Sequence, residues 1–166
     1  MNLIAILLVA QAAQAGGLSW KTPAGWTTEP PGSAMRIVTY RIPAATGDGE
    51  PGEVGVFFFG KGEGGSVDAN VDRWIAQFTP ESGSAKPARR VETVHGIRVT
   101  RVSAEGTFSS GMPGGPRTAK AHFALRGAIA EGPGGNVFFK LTAPRNTAKR
   151  AEPRFDALVG SLEIAR

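Results

Sequence analysis

The chain has 166 residues, 41% of them hydrophobic and 20% charged, with no cysteine and a formal net charge of +5. That length supports one hydrophobic core and not two ordinary domains, and the composition is that of a globular protein rather than a disordered one. The lack of cysteine excludes a disulfide framework, a thiolate metal site, a cysteine nucleophile and lipid attachment through a thiol.

The first fifteen residues contain an apolar run from Leu3 to Ala10, then Ala13-Gln14-Ala15, a small-x-small cleavage pattern. They read as a secretory signal peptide cut before Gly16, which leaves residues 16–166 as a single domain in the periplasm or outside the cell. About eight apolar residues are too few for a membrane span, which needs ~20. Charge is unevenly placed: residues 1–85 carry a net −3 and residues 86–166 a net +8. Such asymmetry marks a possible anionic partner surface, although no run of five like charges occurs.

Leu18 to Thr22 is a short strand candidate, and Pro23-Ala-Gly-Trp26 a turn with an aromatic anchor. Met35 to Pro43 is rich in β-branched and aromatic residues and predicts a strand; Thr46 to Gly52 is a loop by composition; Glu53 to Phe59 is a second strand, apolar enough to be covered on both faces. Ser66 to Phe78 predicts a helix, because Val67, Val71, Trp74, Ile75 and Phe78 form one stripe, with Ser66 as N-cap and Asp68 in the first turn. Glu81 to Pro87 reads as an exposed connection. Arg89 to Val94 and Ile97 to Phe108 are strands joined by a tight turn at His95-Gly96. Ser109 to Thr118 is a loop. Ala119 to Glu131 and Asn136 to Thr142 form a hairpin about Gly132-Pro-Gly-Gly135. A closing helix is predicted from about Ala151 to Leu162, with Phe155, Leu158, Val159 and Leu162 as its stripe. Strands joined by hairpins are antiparallel, so the fold class is α+β: an antiparallel meander sheet flanked by two main amphipathic helices.

The segment from Phe57 to Asp68 raises the question of a nucleotide, since Gly60, Gly62 and Gly65 match the G-x-G-x-x-G spacing between a strand and a helix. The dinucleotide motif needs its last glycine inside the helix and a parallel strand after it, whereas Gly65 precedes the cap and the next strand enters a hairpin. Glu63 and Asp68 would also repel a pyrophosphate. Gly62, Gly64, Gly65 and Ser66 are therefore expected to form a flexible connection, with no nucleotide and no cofactor.

His95 reads as a turn residue and His122 as a polar-face strand residue, with no H-x-x-x-H or acidic cluster to make a metal site. There is no G-x-S-x-G for a serine nucleophile, and no enzymatic activity is expected. The remaining constellation is cationic. Lys120, His122 and Arg126 share side-chain parity, and Lys140 faces away from Val137 and Phe139 on the partner strand, so the four are expected to form a basic patch on the open sheet face. An export signal and few aromatics among these positions argue against nucleic acid as the partner.

Three features together resemble the PsbP-like and DcrB-like group of small extracytoplasmic domains: Trp20 with Pro23-Ala-Gly-Trp26, the strand-helix unit ending in Val71-Asp-Arg-Trp-Ile75, and the closing Phe155 with Leu158-Val-Gly-Ser161. The Gly64 to Trp74 segment and the hairpin ending in Phe138-Phe-Lys140 also look like those of exported bacterial proteins that have no assigned function. The resemblance covers most of residues 17 to 164. It implies a PsbP-like α/β/α sandwich and a non-enzymatic accessory or binding role toward a protein or envelope partner, and it transfers no catalytic residue. The alternative is a carrier or sensor of an anionic or amphiphilic small ligand held on the basic sheet face.

Overall fold

A computed structural model describes residues 13–111 and 114–166. The apolar run Leu3 to Ala10 lies outside the described residues. Ala13 to Ala15, the end of the expected signal segment, form a short strand, β1 (Ala13–Ala15), paired with β2 (Leu18–Trp20). The order continues β3 (Thr27–Glu29), β4 (Arg36–Ile42), β5 (Gly52–Phe58), α1 (Val67–Ile75), β6 (Phe78–Thr79), β7 (Ala88–Val94), β8 (Ile97–Ser110), β9 (Thr118–Gly132), β10 (Gly135–Pro144), α2 (Arg145–Gly160) and β11 (Glu163–Ile164).

The fold is α+β with a large antiparallel sheet and two helices. The main sheet runs β3-β4-β5-β10-β9-β8-β6, with β7 on the other end of β8, and every pairing is antiparallel. It is not one continuous meander. Two hairpin runs, β3-β4-β5 and β8-β9-β10, join through β5 and β10, because the chain crosses by α1 to the far edge and then winds back.

The apolar residues divide into two cores by alternation along shared strands. Val137, Phe139 and Leu141 pack with Ala124, Ala128 and Ala130, with Ala151, Phe155, Leu158 and Val159 of α2, and with Leu18 and Trp20 of the small β1-β2-β11 sheet. There the Trp20 Nε1–H donates to the Tyr40 hydroxyl at 3.0 Å. Phe138 packs instead with Leu125, Ile129 and Val102 and with Val71 and Trp74 of α1.

Helix α1 ends earlier than its stripe predicts, since Phe78 and Thr79 leave it to pair with Phe108 and Thr107. Helix α2 begins six residues before the expected start and carries Pro153 inside it. Its first turn is capped from a distance: Asp48, in the β4–β5 loop, accepts from the Thr147 amide (2.7 Å), the Thr147 hydroxyl (2.6 Å) and Asn146 (3.2 Å). Glu81 is no exposed connector. Its side chain is 16% exposed and accepts from the Thr107 hydroxyl (2.7 Å), the His122 amide (3.0 Å) and Arg145 (3.2 Å), pinning a bulge in β9 to the start of α2.

Candidate functional site

Along β10, Phe139 and Leu141 point to the α2 core, so the residue between them, Lys140, emerges on the α1 side with Phe138 and Thr142. Its neighbours across the ladder are both glycine, Gly55 on β5 and Gly127 on β9. A Cβ at Gly127 would lie 2.7 Å from the Trp74 ring, and one at Gly55 2.8 Å from both Arg36 and Phe57. The missing side chains therefore let an indole and a guanidinium close in beside the lysine stem, the packing role that a glycine inside a strand often signals.

Helix α1 has nine residues and covers only part of this face. Beyond it lies a groove of about 710 Å³ lined by Arg36, Arg41, Glu53, Phe57, Phe108 and Lys120 among others, with Lys140 on its wall. A second recess of about 180 Å³ adjoins it under α1, sharing Phe57 and Lys140 and adding Phe59, Arg73, Trp74 and Phe138. The surface is thus aromatic with cations set into it: Arg36 over Phe57 at 5.4 Å, Lys120 over Phe123 at 5.3 Å, and Lys140 at 5.7 Å from Trp74 and 5.8 Å from Phe108.

Most of these cations are already matched. Arg36 meets Glu53 at 2.5 Å, Arg41 meets Glu29 at 2.7 Å and Glu53 at 3.2 Å, and Lys120 meets Glu50 at 2.5 Å. Lys140 and Arg73 differ. Among the described residues neither forms a salt bridge; Lys140 donates to the Gln77 amide oxygen and Arg73 to that of Asn70. Burial, assisted by the nearby Arg73 and only partly offset by Glu53, lowers the pKa of the Lys140 amine to about 8.

The expected patch of four basic residues is divided. Lys120 and Lys140 line the same groove. Arg126 lies on the opposite face, 3.2 Å from Glu105 and 3.4 Å from Glu152 of α2, beside a cavity of about 190 Å³. His122 sits at the bulge with φ of 58°, its Nδ1 3.0 Å from Glu81. There are two reasons. Both faces of β9 and β10 are apolar, so the stripes Phe123-Leu125-Ile129 and Val137-Phe139-Leu141 serve different cores. In addition, β9 has two residues, Ala121 and His122, where β8 has only Thr107, and this bulge switches the parity of Lys120. The α2-side cavity is charge-matched, with Arg101 bridging Asp156 and Glu92 as Arg126 bridges Glu105 and Glu152, so it ties the helix to the sheet.

The glycine loop leads from β5 into α1 at the end of the smaller recess. Gly60, Gly62, Gly64 and Gly65 all have positive φ, between +77° and +106°. Gly64 is also hemmed in: a Cβ there would lie 2.7 Å from the Phe59 ring, and its carbonyl accepts from Asn70 at 2.8 Å. Ser66 caps α1 by accepting from the Ala69 amide at 3.1 Å, and Asp68 pairs with Arg89. His95 occupies the β7–β8 turn with φ of 47°, its Nδ1 2.8 Å from the Leu162 carbonyl. Among the described residues no three His, Asp or Glu side chains gather around a possible metal position. Sequence reasoning missed Arg36, Arg73 and the aromatic wall; glycines at 55 and 127 inside apolar strands were the available signal.

No protein-family model matches the chain, and no curated relative matches its sequence. Its fold is similar to that of the PsbP protein of the cyanobacterium Synechocystis sp. PCC 6803, with a TM-score of 0.59 at 11% identity over 99% of this chain and 98% of that one. A protein of unknown function from Pseudomonas aeruginosa matches with a TM-score of 0.50 at 13% identity, over 94% of this chain and 96% of the other. The fold is PsbP-like. Among the described residues no helix is long and apolar enough to cross a membrane.

Proposed function

We propose that this chain is an exported, non-catalytic binding domain, periplasmic or secreted, whose groove takes an anionic amphiphile of the kind cell envelopes contain. The observation that carries this reading is Lys140: a partly buried ammonium without a carboxylate partner, set among Trp74, Phe108 and Phe57, with Arg73 equally unmatched beside it. Such a site offers an apolar wall to a chain or ring and two uncommitted cations to a carboxylate or phosphate. This takes up the alternative that the sequence offers beside a protein or envelope partner, a carrier or sensor of an anionic or amphiphilic small ligand, with Lys120 contributing at the far end of the groove and Arg126 on the opposite face taking no part. Export is supported by the apolar N-terminal run and its small-x-small end. Osmotic-shock fractionation of cells producing the full chain should release the protein with periplasmic markers; retention in the cytoplasm would refute export.

Titration with dodecanoate and with dodecanol, followed by tryptophan fluorescence, tests the ligand. Dodecanoate should bind at least about tenfold more tightly than the alcohol, with affinity falling as salt screens the charges. Substituting Lys140→Met and Arg73→Ala together should remove that preference while leaving alcohol binding in place. Equal affinity for the two ligands, or none for either, would sink the reading.

A further inference from the structure

Lys140 differs from every other lysine in the chain. Lys21, Lys61, Lys86 and Lys149 are exposed, and Lys120 is held by Glu50. Lys140 alone combines partial burial, an aromatic enclosure and no salt bridge among the described residues, and it lines both the larger groove and the recess under α1. An amine so placed is a nucleophile whenever it is neutral, and enclosure by apolar rings favours the neutral form. The Arg73 and Arg36 guanidiniums add to this by repelling a third positive charge, against the opposing attraction of the Glu53 carboxylate, which Arg36 and Arg41 already pair.

We propose that Lys140 is a carbonyl-trapping amine, condensing with an apolar aldehyde lodged in the groove to form a reversible imine. The inference rests on the groove being a ligand site, as proposed above. In the first step the Nζ lone pair forms a C–N bond to the carbonyl carbon, and one amine hydrogen moves to oxygen to give a carbinolamine. In the second the C–O bond breaks and water leaves with the other amine hydrogen, so that C=N replaces C=O. No oxidant or reductant is required. Gln77 Oε1, which accepts from Nζ, lines the recess under α1 and holds the amine where recess and groove meet, beside the Trp74 and Phe108 rings. The lowered affinity of Nζ for its proton, at about 8 against the ordinary 10.5, places a sizeable neutral fraction near physiological pH.

The full chain is incubated with octanal and cyanoborohydride at about pH 7, so that any imine is fixed as a secondary amine, and modified lysines are quantified by peptide mass spectrometry. Lys140 should be alkylated at least about tenfold faster than Lys61 or Lys149. Dodecanoate should slow the modification of Lys140 and leave the other lysines unaffected. Modification of Lys140 no faster than Lys61 overturns the inference, and if dodecanoate nevertheless binds, the groove reading stands without it. Selective modification that dodecanoate does not slow upholds the reactive amine and removes the anionic amphiphile as the ligand.

Discussion

Lys140 lies between Phe139 and Leu141, whose side chains are fully buried on the other face, so its own stem is set on the α1 face of a central strand. Its position facing away from Val137 and Phe139 was legible from period-two alternation. Its neighbours were not, because the parity of one strand says nothing about which core its partner's stripe serves, and Arg126 consequently stands on the opposite face. The burial of Lys140 has a consequence for stability. Its native pKa of about 8 lies below the ordinary 10.5, so between those values the unfolded chain holds the proton and the native chain sheds it, and stability rises with pH across that window. Below about pH 8 both states are protonated and the full cost of burying the charge stands. Replacing Lys140 with Met should therefore stabilise the protein at pH 7 by about 1–2 kcal/mol, discounted from a ceiling of about 3 for partial solvation, and abolish the rise toward pH 10. Urea denaturation at the two pH values measures both effects; parallel behaviour of wild type and Lys140→Met would mean that the amine is solvated in the native state.

Among the elements, the helices show where local sequence suffices and where it does not. Helix α1 announces itself: Ser66 caps it, Asp68 occupies the first turn, and the glycines before it adopt the positive φ that only glycine accepts readily. The abundance of glycine in that loop follows from backbone geometry at four positions, with Gly64 additionally required by the close Phe59 ring. Helix α2 begins without a local cap, because Pro144 precedes it and the carboxylate that satisfies its first turn arrives from Asp48, 99 residues earlier. Pro153 removes a further donor from its interior, and a proline there reads in sequence as a start or a stop. Nothing near residue 145 could reveal the cap. Burial alone would raise the Asp48 carboxyl, but hydrogen bonds from Thr147 and Asn146, with Arg150 nearby, hold it below its usual range. Asp48→Ala should cost about 1–2 kcal/mol at neutral pH, the usual loss for a helix cap. A carboxyl whose native pKa is lowered stabilises the fold above its unfolded value and loses that contribution as pH falls through the native one. The difference between wild type and Asp48→Ala, measured by thermal melting, should accordingly shrink below about pH 3.8; a gap that persisted in acid would exclude the carboxylate as its source.

At the scale of the whole molecule, one set of strands serves two cores with different duties. The hairpins β7-β8 and β9-β10 were readable from their turns, whereas the pairing of β5 with β10 joins segments about eighty residues apart and is decided by packing, which no local pattern encodes. That pairing brings Phe57 and Arg36 beside Lys140 and so creates the groove. The α2 side carries the larger core and charge-matched ties from Arg101 and Arg126 to the helix, while the α1 side leaves its groove open and two cations unmatched. Phe138 and Phe139 test this division because they are adjacent, equally buried and on opposite faces: Phe139 meets Trp20 edge-on at 5.0 Å, and Phe138 meets Phe59 at 5.5 Å and Trp74 at 6.4 Å. Each Phe→Ala substitution should cost about 3–5 kcal/mol, since each empties a ring-sized space in a packed core. The losses should appear in single cooperative transitions, because β9 and β10 belong to both cores. Binding should separate them. At a temperature where both variants remain folded, Phe138→Ala should weaken dodecanoate binding by about tenfold or more by opening the recess wall, and Phe139→Ala should change it less than about twofold. Equal losses of affinity from the two substitutions would mean that the α2 core shapes the groove as much as the α1 face does, and that the two sides of the sheet act as one unit in binding.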